Sequence, residues 1–508
     1  MAKYDIIIVG GGTAGCAAAY TAGKSGLKTL LIEKKIHLGG AITSGLVVPA
    51  MKAGDNQINT DFFNALVAEL KKLGGQITYQ GNDGWFNPEL TKIALDNLMQ
   101  DAGVEVVFGA TVEEVNLSPS PQPSPQRGEG MKHISSLKIL SPYNCSLQNC
   151  RNILSEPIET RYVIDTTGDC EIGKLCGCEF WDCHSEPNRK QILRYAQNDV
   201  KGEESNINQY SHSPHPSPSR GEGAAPTHLF LGGEVALSQP VSLRFIMSNI
   251  DLKAFSEWIL ELDKDRSVTT AEYYLTRGCN AHSSQTTAPS PTEKSCRRGE
   301  HEIHLSTAYT WDSGKNWALK PLFDDAVEKG ILKDADRNYF QIFTVAGMPD
   351  AVAFNCPRIL EPESLTDAVQ QGRQSILRIS DFCKKYLKGF ENAYISNIAD
   401  ELGVRVSNRI KGKYVYTVDD LKSGKKFENP VVISNYPVDV HSAKKDASTL
   451  EKVQDYQLPV ESLMSADIEN LFVAGRCLSA DFMAQGALRV QPNCFAMGEG
   501  LVKYIRQL

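Results

Sequence analysis

At 508 residues, with 41% hydrophobic and 22% charged side chains, the chain has the composition of a soluble globular protein of roughly two to four domains. A net charge of −8 and an isoelectric point near 5.8, with no cluster of Lys and Arg, exclude a nucleic-acid scaffold. No apolar run reaches the ~18 residues of a membrane span.

The first element expected is a strand over Tyr4-Asp5-Ile6-Ile7-Ile8-Val9, a β-branched apolar run of the kind buried on both faces. Gly10-Gly11-Gly12-Thr13-Ala14-Gly15 follows at once, and the Ala-rich run from Ala14 to Gly23 continues as a helix. Strand, glycine turn and helix in this order form a dinucleotide-binding fingerprint. It uses Gly10 for the tight turn, Gly12 for close approach to a pyrophosphate and Gly15 for helix-on-strand packing. The helix N-terminus supplies the anion site. A second strand, Lys28 to Ile32, ends on Glu33, where an acid can hydrogen-bond the ribose of an adenosine and disfavours a 2′-phosphate. A strand with a glycine turn at the N-terminus is not a cleavable signal, so a cytoplasmic protein is expected. The thirteen cysteines are irregularly spaced, which favours reduced thiols. Cys170, Cys176, Cys178 and Cys183 lack the paired two-residue gaps of zinc or ferredoxin sites, so no metal centre is expected.

The loop Leu38-Gly39-Gly40-Ala41-Ile42-Thr43-Ser44-Gly45 allows a second close backbone approach to an extended cofactor. Helices are expected over Thr60 to Leu73 and from the Asn87-Pro88-Glu89 cap to about Ala102, with a strand over Val104 to Phe108. Pro123 to Gly130 recurs nearly verbatim as Pro216 to Gly223, with a weaker Ser/Thr/Pro-rich relative between Ser283 and Glu300. Such composition buries too little apolar surface to fold, so these are expected to be exposed late insertions in surface loops. Tyr162 to Thr166 reads as a strand leading into the turn Gly168-Asp169, either an ordinary turn or a return to the cofactor.

Residues 227–463 read as a separate lobe with mixed α and β elements. Gln239 to Phe245 alternates like an edge strand, and a long amphipathic helix is expected from Ser364 to Tyr386. Arg405 and Tyr414 lie in its most polar cluster, with Asp439 and His441 downstream. These types suit a pocket for an anionic or carbonyl-bearing substrate, or equally solvated strand ends with local ion pairs. The closing segment places a strand at Asn470 to Ala474, a glycine turn at Gly475-Arg476-Cys477, and a last helix opening near Pro492 and running through Met497, Leu501 and Tyr504.

The N-terminal fingerprint, the Gly39-Gly40 loop, the Asp165 to Asp169 turn, the Arg405 cluster and the closing segment together resemble the FAD-binding oxidoreductases of the glutathione reductase-like superfamily. Within it they are most similar to FAD-dependent oxidoreductases related to the flavin module of heterodisulfide reductase. That resemblance implies an α/β, Rossmann-like FAD-binding domain with a parallel sheet, plus a mixed α+β substrate or cap lobe. The implied division is 1–182 (insertion near 118–131), a disordered insertion at 183–226, the lobe at 227–463 (insertion near 283–301), and a return to the FAD domain at 464–508. It implies that FAD is held by Gly10, Gly12, Thr13, Ala14, Gly15, Glu33, Lys34, Gly39, Gly40, Ala41, Thr43, Thr111, Val112, Gly168, Asp169, Gly475, Arg476, Leu488, Arg489, Pro492 and Asn493. A helix N-terminus aimed at the pyrimidine end of the ring, with Arg489 beside it, would stabilise negative charge on the reduced flavin. Arg405, Tyr414, Asp439 and His441 are the substrate-side catalytic candidates, and Arg489 is the catalytic candidate beside the flavin. The chain departs from the family with Val406 where an acid is usual and Asn408 where an arginine is usual. It has no second glycine fingerprint for nicotinamide, no redox cysteine pair after Gly40 and no iron-sulfur cysteine runs. Three readings remain open. The first is an enzyme moving a hydride between an unidentified small molecule and flavin, and the second a flavin-carrying electron-transfer protein with a redox partner protein. The third is a chain whose insertions have cost it the cofactor.

Overall fold

The computed structural model describes residues 3–120, 131–141, 156–181, 239–264, 269–275, 301–310, 318–337, 339–360, 362–441, 448–451 and 453–508. The two repeated octamers, the Ser283 to Glu300 stretch and Cys183 lie outside these residues. The protein is built on two sheets. The first has seven strands, in the order Glu105–Phe108, Thr29–Glu33, Lys3–Val9, Ile158–Asp165, Lys132–Leu140, Thr111–Pro119, with Leu471–Val473 pairing Ile158–Asp165 as well. Its five parallel strands are short apolar runs, buried along most of their length except at the edge strand Glu105–Phe108. The two antiparallel strands form a hairpin that closes with the Ser120 amide donating to the Met131 carbonyl at 2.7 Å.

The helix Thr13–Lys24 covers one face of this sheet, and the last helix, Gln491–Ile505, lies against it. The two approach backbone to backbone: a Cβ added at Gly498 would stand 2.2 Å from the Ala14 carbonyl oxygen. Helices Asp61–Leu73 and Pro88–Asp101 complete the layer through Phe62, Leu66, Leu95 and Leu98. The Asn87 side chain caps the second of these, accepting from the amides of Glu89 at 3.0 Å and Leu90 at 3.1 Å.

The second sheet is antiparallel and six-stranded, in the order Thr269–Leu275, His301–Thr310, Tyr339–Val345, Met348–Phe354, Phe245–Ser248, Tyr394–Ile398. The amphipathic helix Leu365–Tyr386, capped by Ser364, buries Ile376, Ile379, Phe382 and Cys383 in its core. The Gln239 to Phe245 stretch differs from the single edge strand its alternation suggests. It splits at Leu243-Arg244 into Val241–Ser242, which pairs with Arg358–Ile359, and Phe245–Ser248, an interior strand of the cap sheet. Although 227–463 reads as one lobe, Tyr416, Val431, Tyr456 and Leu463 share their core with the first and last helices. The closing segment differs too: Phe482–Leu488 is a short helix of its own, and the chain breaks at Arg489 and Val490 before the last helix begins. Among the described residues no helix is long and apolar enough to cross a membrane.

The Ala14–Gly498 approach yields a stability test. Gly498→Ala would gain about 1 kcal/mol of intrinsic helix preference. Because the added methyl meets main chain that cannot move aside, a net loss of about 1–3 kcal/mol is expected. It would be read from the urea midpoint, and an unchanged or raised midpoint would refute the close packing.

Candidate cofactor and substrate site

The opening strand ends at Val9, and the turn that follows is forced by sterics. Gly10 has φ +101°, and a Cβ on Gly15 would fall 1.9 Å from the Gly10 carbonyl oxygen. Gly12, the residue before the helix, has open space where a Cβ would project, with nothing within 4 Å. The helix it opens has no side-chain cap and no acid in its first turn, so its first amides face that space with a partial positive charge. The second glycine loop is tied alongside: the Gly39 amide donates to the Gly11 carbonyl at 2.8 Å, and a Cβ on Gly40 would lie 3.0 Å from Gly12 Cα. Thr43 shapes that loop by donating its hydroxyl to the Leu38 carbonyl at 2.7 Å, leaving Ala41 exposed.

Glu33 closes the far side. Its carboxylate accepts from the Gly11 amide at 2.6 Å and the Lys35 amide at 2.8 Å, and each oxygen keeps a further lone pair for a ribose hydroxyl. Burial raises its pKa, against the pull of the two amides. Thr111 and Val112 start the neighbouring hairpin strand, tied in where the Ala110 amide donates to the Glu33 carbonyl at 3.1 Å. Lys34 points outward to an ion pair with Glu171 at 3.6 Å. A glycine cradle, an uncapped helix end and a buried acid in this arrangement fit a dinucleotide with its pyrophosphate at Gly12 and its adenosine at Glu33.

Three motifs that are far apart in sequence meet beside this cradle. Arg476 donates from Nη2 to Asp169 at 2.7 Å and from Nε to Ser407 at 3.0 Å. Ser407 in turn donates to the Gly168 carbonyl at 2.6 Å, and Asn408 donates to the Asp169 carbonyl at 3.1 Å. Burial works against ionisation of Asp169, but the Arg476 guanidinium outweighs it and holds the carboxyl below its usual range. Beneath this turn Cys170, Cys176 and Cys178 are packed among apolar side chains, and burial pushes the Cys178 thiol up to about 11.

A cluster of buried and half-buried polar side chains, which outlines a chamber, gathers around Arg489. Arg489, at the break before the last helix, donates from Nη2 to the Asp439 carbonyl at 2.8 Å, to its carboxylate at 3.2 Å, and to Gln239 Oε1 at 3.4 Å. His441 Nε2 stands 3.3 Å from Asp439 Oδ1, and the His441 amide donates to the same Gln239 oxygen at 3.1 Å. Burial, reinforced by the Arg405 cation, lowers the His441 pKa to about 3 despite its carboxylate neighbour, so the imidazole is neutral. Asp439 is ionised: burial opposes this, but the His441 hydrogen bond and the cations of Arg489 and Arg405 prevail. Arg405 donates to the Pro240 carbonyl and, at 3.1 Å, to the Ser242 hydroxyl.

Of the substrate-side candidates, Arg405, Asp439 and His441 come together here with Arg489, the candidate beside the flavin, whereas Tyr414 does not. Its hydroxyl donates to Asp420 at 2.8 Å and accepts from Lys425 at 2.6 Å, anchoring the short helix Val418–Ser423. Leu488 is fully buried, Gly475 has φ +93°, and Asn493 donates to the Ala487 carbonyl at 3.0 Å. The last helix, with Pro492 in its first turn, again has no side-chain cap and no acid there. Sequence reading passed over Arg244, Arg358, Tyr339 and Asn355, which complete the chamber. Arg244 donates to Asn355 at 2.6 Å, and Arg358 stacks 3.7 Å from the centre of the Tyr339 ring. One signal was available: Arg244 is a lone charge between apolar Leu243 and Phe245 in a run otherwise suited to a core.

Thiamine thiazole synthases of Sulfolobus acidocaldarius and Saccharolobus solfataricus are each 30% identical to the chain over 117 residues, 23% of its length. The chain spans only 42% and 41% of those relatives. Among solved structures, p-nitrophenol 4-monooxygenase PnpA of Pseudomonas putida DLL-E4 covers all of the chain and 82% of its own, at 8% identity and a TM-score of 0.42. A geranylgeranyl bacteriochlorophyll reductase-like protein of Thermoplasma acidophilum covers 100% and 79%, at 13% identity and 0.35. These are distant likenesses of shape. The family model described as FAD dependent oxidoreductase matches residues 5–501, nearly the whole chain. With the glycine cradle and its buried acid in place, the chain belongs to the FAD-dependent oxidoreductase family and takes FAD as its cofactor.

Proposed function

We propose that this oxidoreductase moves a hydride between a small molecule held in the chamber under the cap and tightly bound FAD. The relation to the flavin module of heterodisulfide reductase and the division into FAD and substrate domains are part of the same reading. The observation that carries it is the path of the last helix. From Gly498, pinned on the first turn of the first helix, about 10 Å of helix lead back to Gln491 at 1.5 Å per residue. An extended cofactor with its pyrophosphate at Gly12 would therefore bring its redox ring to the uncapped start of the last helix, beside Arg489. A purpose-built polar chamber at that point supports a small-molecule substrate over a bare electron-transfer role.

When bound, FAD supplies the two-electron acceptor or donor. The chain's own groups do the rest. The helix start and Arg489 favour negative charge where the ring would gain electrons. Arg405 lines the substrate side. As substrate is oxidised it gives up a hydride and a proton, and the proton goes to His441. His441 Nε2 faces Asp439, which orients the ring. In the reverse direction the same imidazole returns the proton. The cap covers the chamber and keeps water out.

The first test is the visible spectrum of the purified protein followed by acid release of its chromophore. The paired bands of oxidised flavin and released FAD are expected. Gly12→Val should abolish them while far-ultraviolet circular dichroism stays unchanged, and a yellow Gly12→Val protein would contradict the cradle.

His441 makes a second prediction. Its folded pKa of about 3 lies below its ordinary 6.5, so between these values the unfolded chain binds a proton that the folded chain refuses. Stability from this group is therefore complete above pH 6.5 and lost as pH falls, by about 1.5 kcal/mol between pH 6.5 and 5. Denaturant titrations of His441→Gln should lack that share of the slope. Histidine-labelled NMR should show this ring neutral at pH 5, and a midpoint near 6.5 would refute the buried setting beside Arg405 that keeps it neutral.

A further inference from the structure

Among the described residues, two of the chamber's cations form no ion pair with a carboxylate. Arg489 has Asp439 in that role. Arg244 and Arg405, each only 8% exposed, have neutral hydrogen-bond partners: the Asn355 amide for Arg244, and the Pro240 carbonyl and Ser242 hydroxyl for Arg405. Among the described residues the terminal nitrogens of Arg244 donate to nothing. Gln239, 4% exposed, offers its carbonyl oxygen to Arg489 and His441, while its amide nitrogen is buried with no acceptor among the described residues. Tyr339, Gln341 and Asn355 form a hydrogen-bonded row, with Tyr339 donating to Gln341 at 2.5 Å and Asn355 donating to Gln341 at 2.6 Å, that braces Arg244. Burying like charges without counter-ions is costly, and it is tolerated where a ligand provides the missing charge. Guanidinium forks match the oxygens of carboxylate and phosphoryl groups.

On the reading that this chamber is the substrate site, we propose that the substrate is a small molecule carrying two negative charges, a dicarboxylate or a phosphate monoester, clamped between Arg244 and Arg405. Its reactive carbon is then presented toward Arg489 and the Asp439–His441 pair. Mutual repulsion among Arg405, Arg489, Arg244 and Arg358, added to burial, lowers the Arg405 pKa, consistent with a site awaiting an anion. The unused amide of Gln239 offers a further donor.

The test is calorimetric titration and thermal unfolding of the full chain, at fixed ionic strength, with malonate, succinate, glutarate and phenyl phosphate. Succinamate, butyrate and succinamide serve as matched monoanions and a neutral control. At least one dianion should bind saturably, about tenfold or more tighter than its monoanion, and raise the unfolding temperature. Success with succinate and failure with phenyl phosphate would select the dicarboxylate, and the reverse the phosphate ester. Arg244→Gln should weaken that binding about tenfold or more while leaving the ligand-free protein no less stable, because it relieves repulsion. Arg244→Lys should keep part of the affinity. Monoanions binding as tightly as dianions, no dianion binding at all, or undiminished binding to Arg244→Gln would each overturn the proposal. FAD content, measured on the same samples, is independent of these outcomes. Flavin bound without dianion selectivity sinks this proposal alone, whereas colourless protein sinks the flavoenzyme mechanism and leaves anion binding still to be read.

Discussion

The first helix, Thr13–Lys24, is built almost entirely of Ala, Gly and Thr, and that lack of girth sets the spacing of everything around it. Gly15 lets it sit against the main chain of Gly10, and Ala14 receives Gly498 of the last helix at backbone distance. A bulkier helix would push both neighbours out by several ångströms. The cradle at Gly12 and the uncapped start of the last helix would then lose their present spacing. Close packing of poor side chains, rather than any single hydrogen bond, therefore fixes the geometry of the site.

Electrostatics divides the same site into two regions. At the cradle end a buried acid, Glu33, is held by two amides. At the chamber end guanidiniums outnumber carboxylates among the described residues, and burial together with the Arg405 cation keeps the imidazole of His441 neutral. Arg476 and Asp169 sit between the two as a matched pair, and they tie the turn after the central strand to the turn after Leu471–Val473.

Much of the first sheet was legible in the sequence because each of its motifs is local. A strand, a glycine turn and a helix follow one another within 24 residues, and caps such as Asn87 and Ser364 announce their helices directly. The cap sheet was not legible, since its order interleaves strands from residues 245 to 398 and pairs them across long separations. For the same reason Arg244 and Arg358 are inconspicuous in the sequence while Arg405 is not: the first two stand alone among apolar neighbours, and the third sits in an obviously polar run. Tyr414 shares that polar run, yet its hydroxyl turns to a helix cap instead, because sequence proximity does not fix where a side chain points.

The hairpin Thr111–Pro119 and Lys132–Leu140 carries a consequence for engineering. Its ladder is complete at the Ser120–Met131 hydrogen bond, and residues 121–130 lie beyond it. The free-energy cost of whatever chain joins those two ends grows only with the logarithm of its length. This edge of the sheet is thus a natural splice point, where a reporter domain or a pair of new termini can be introduced without reaching the cradle or the chamber.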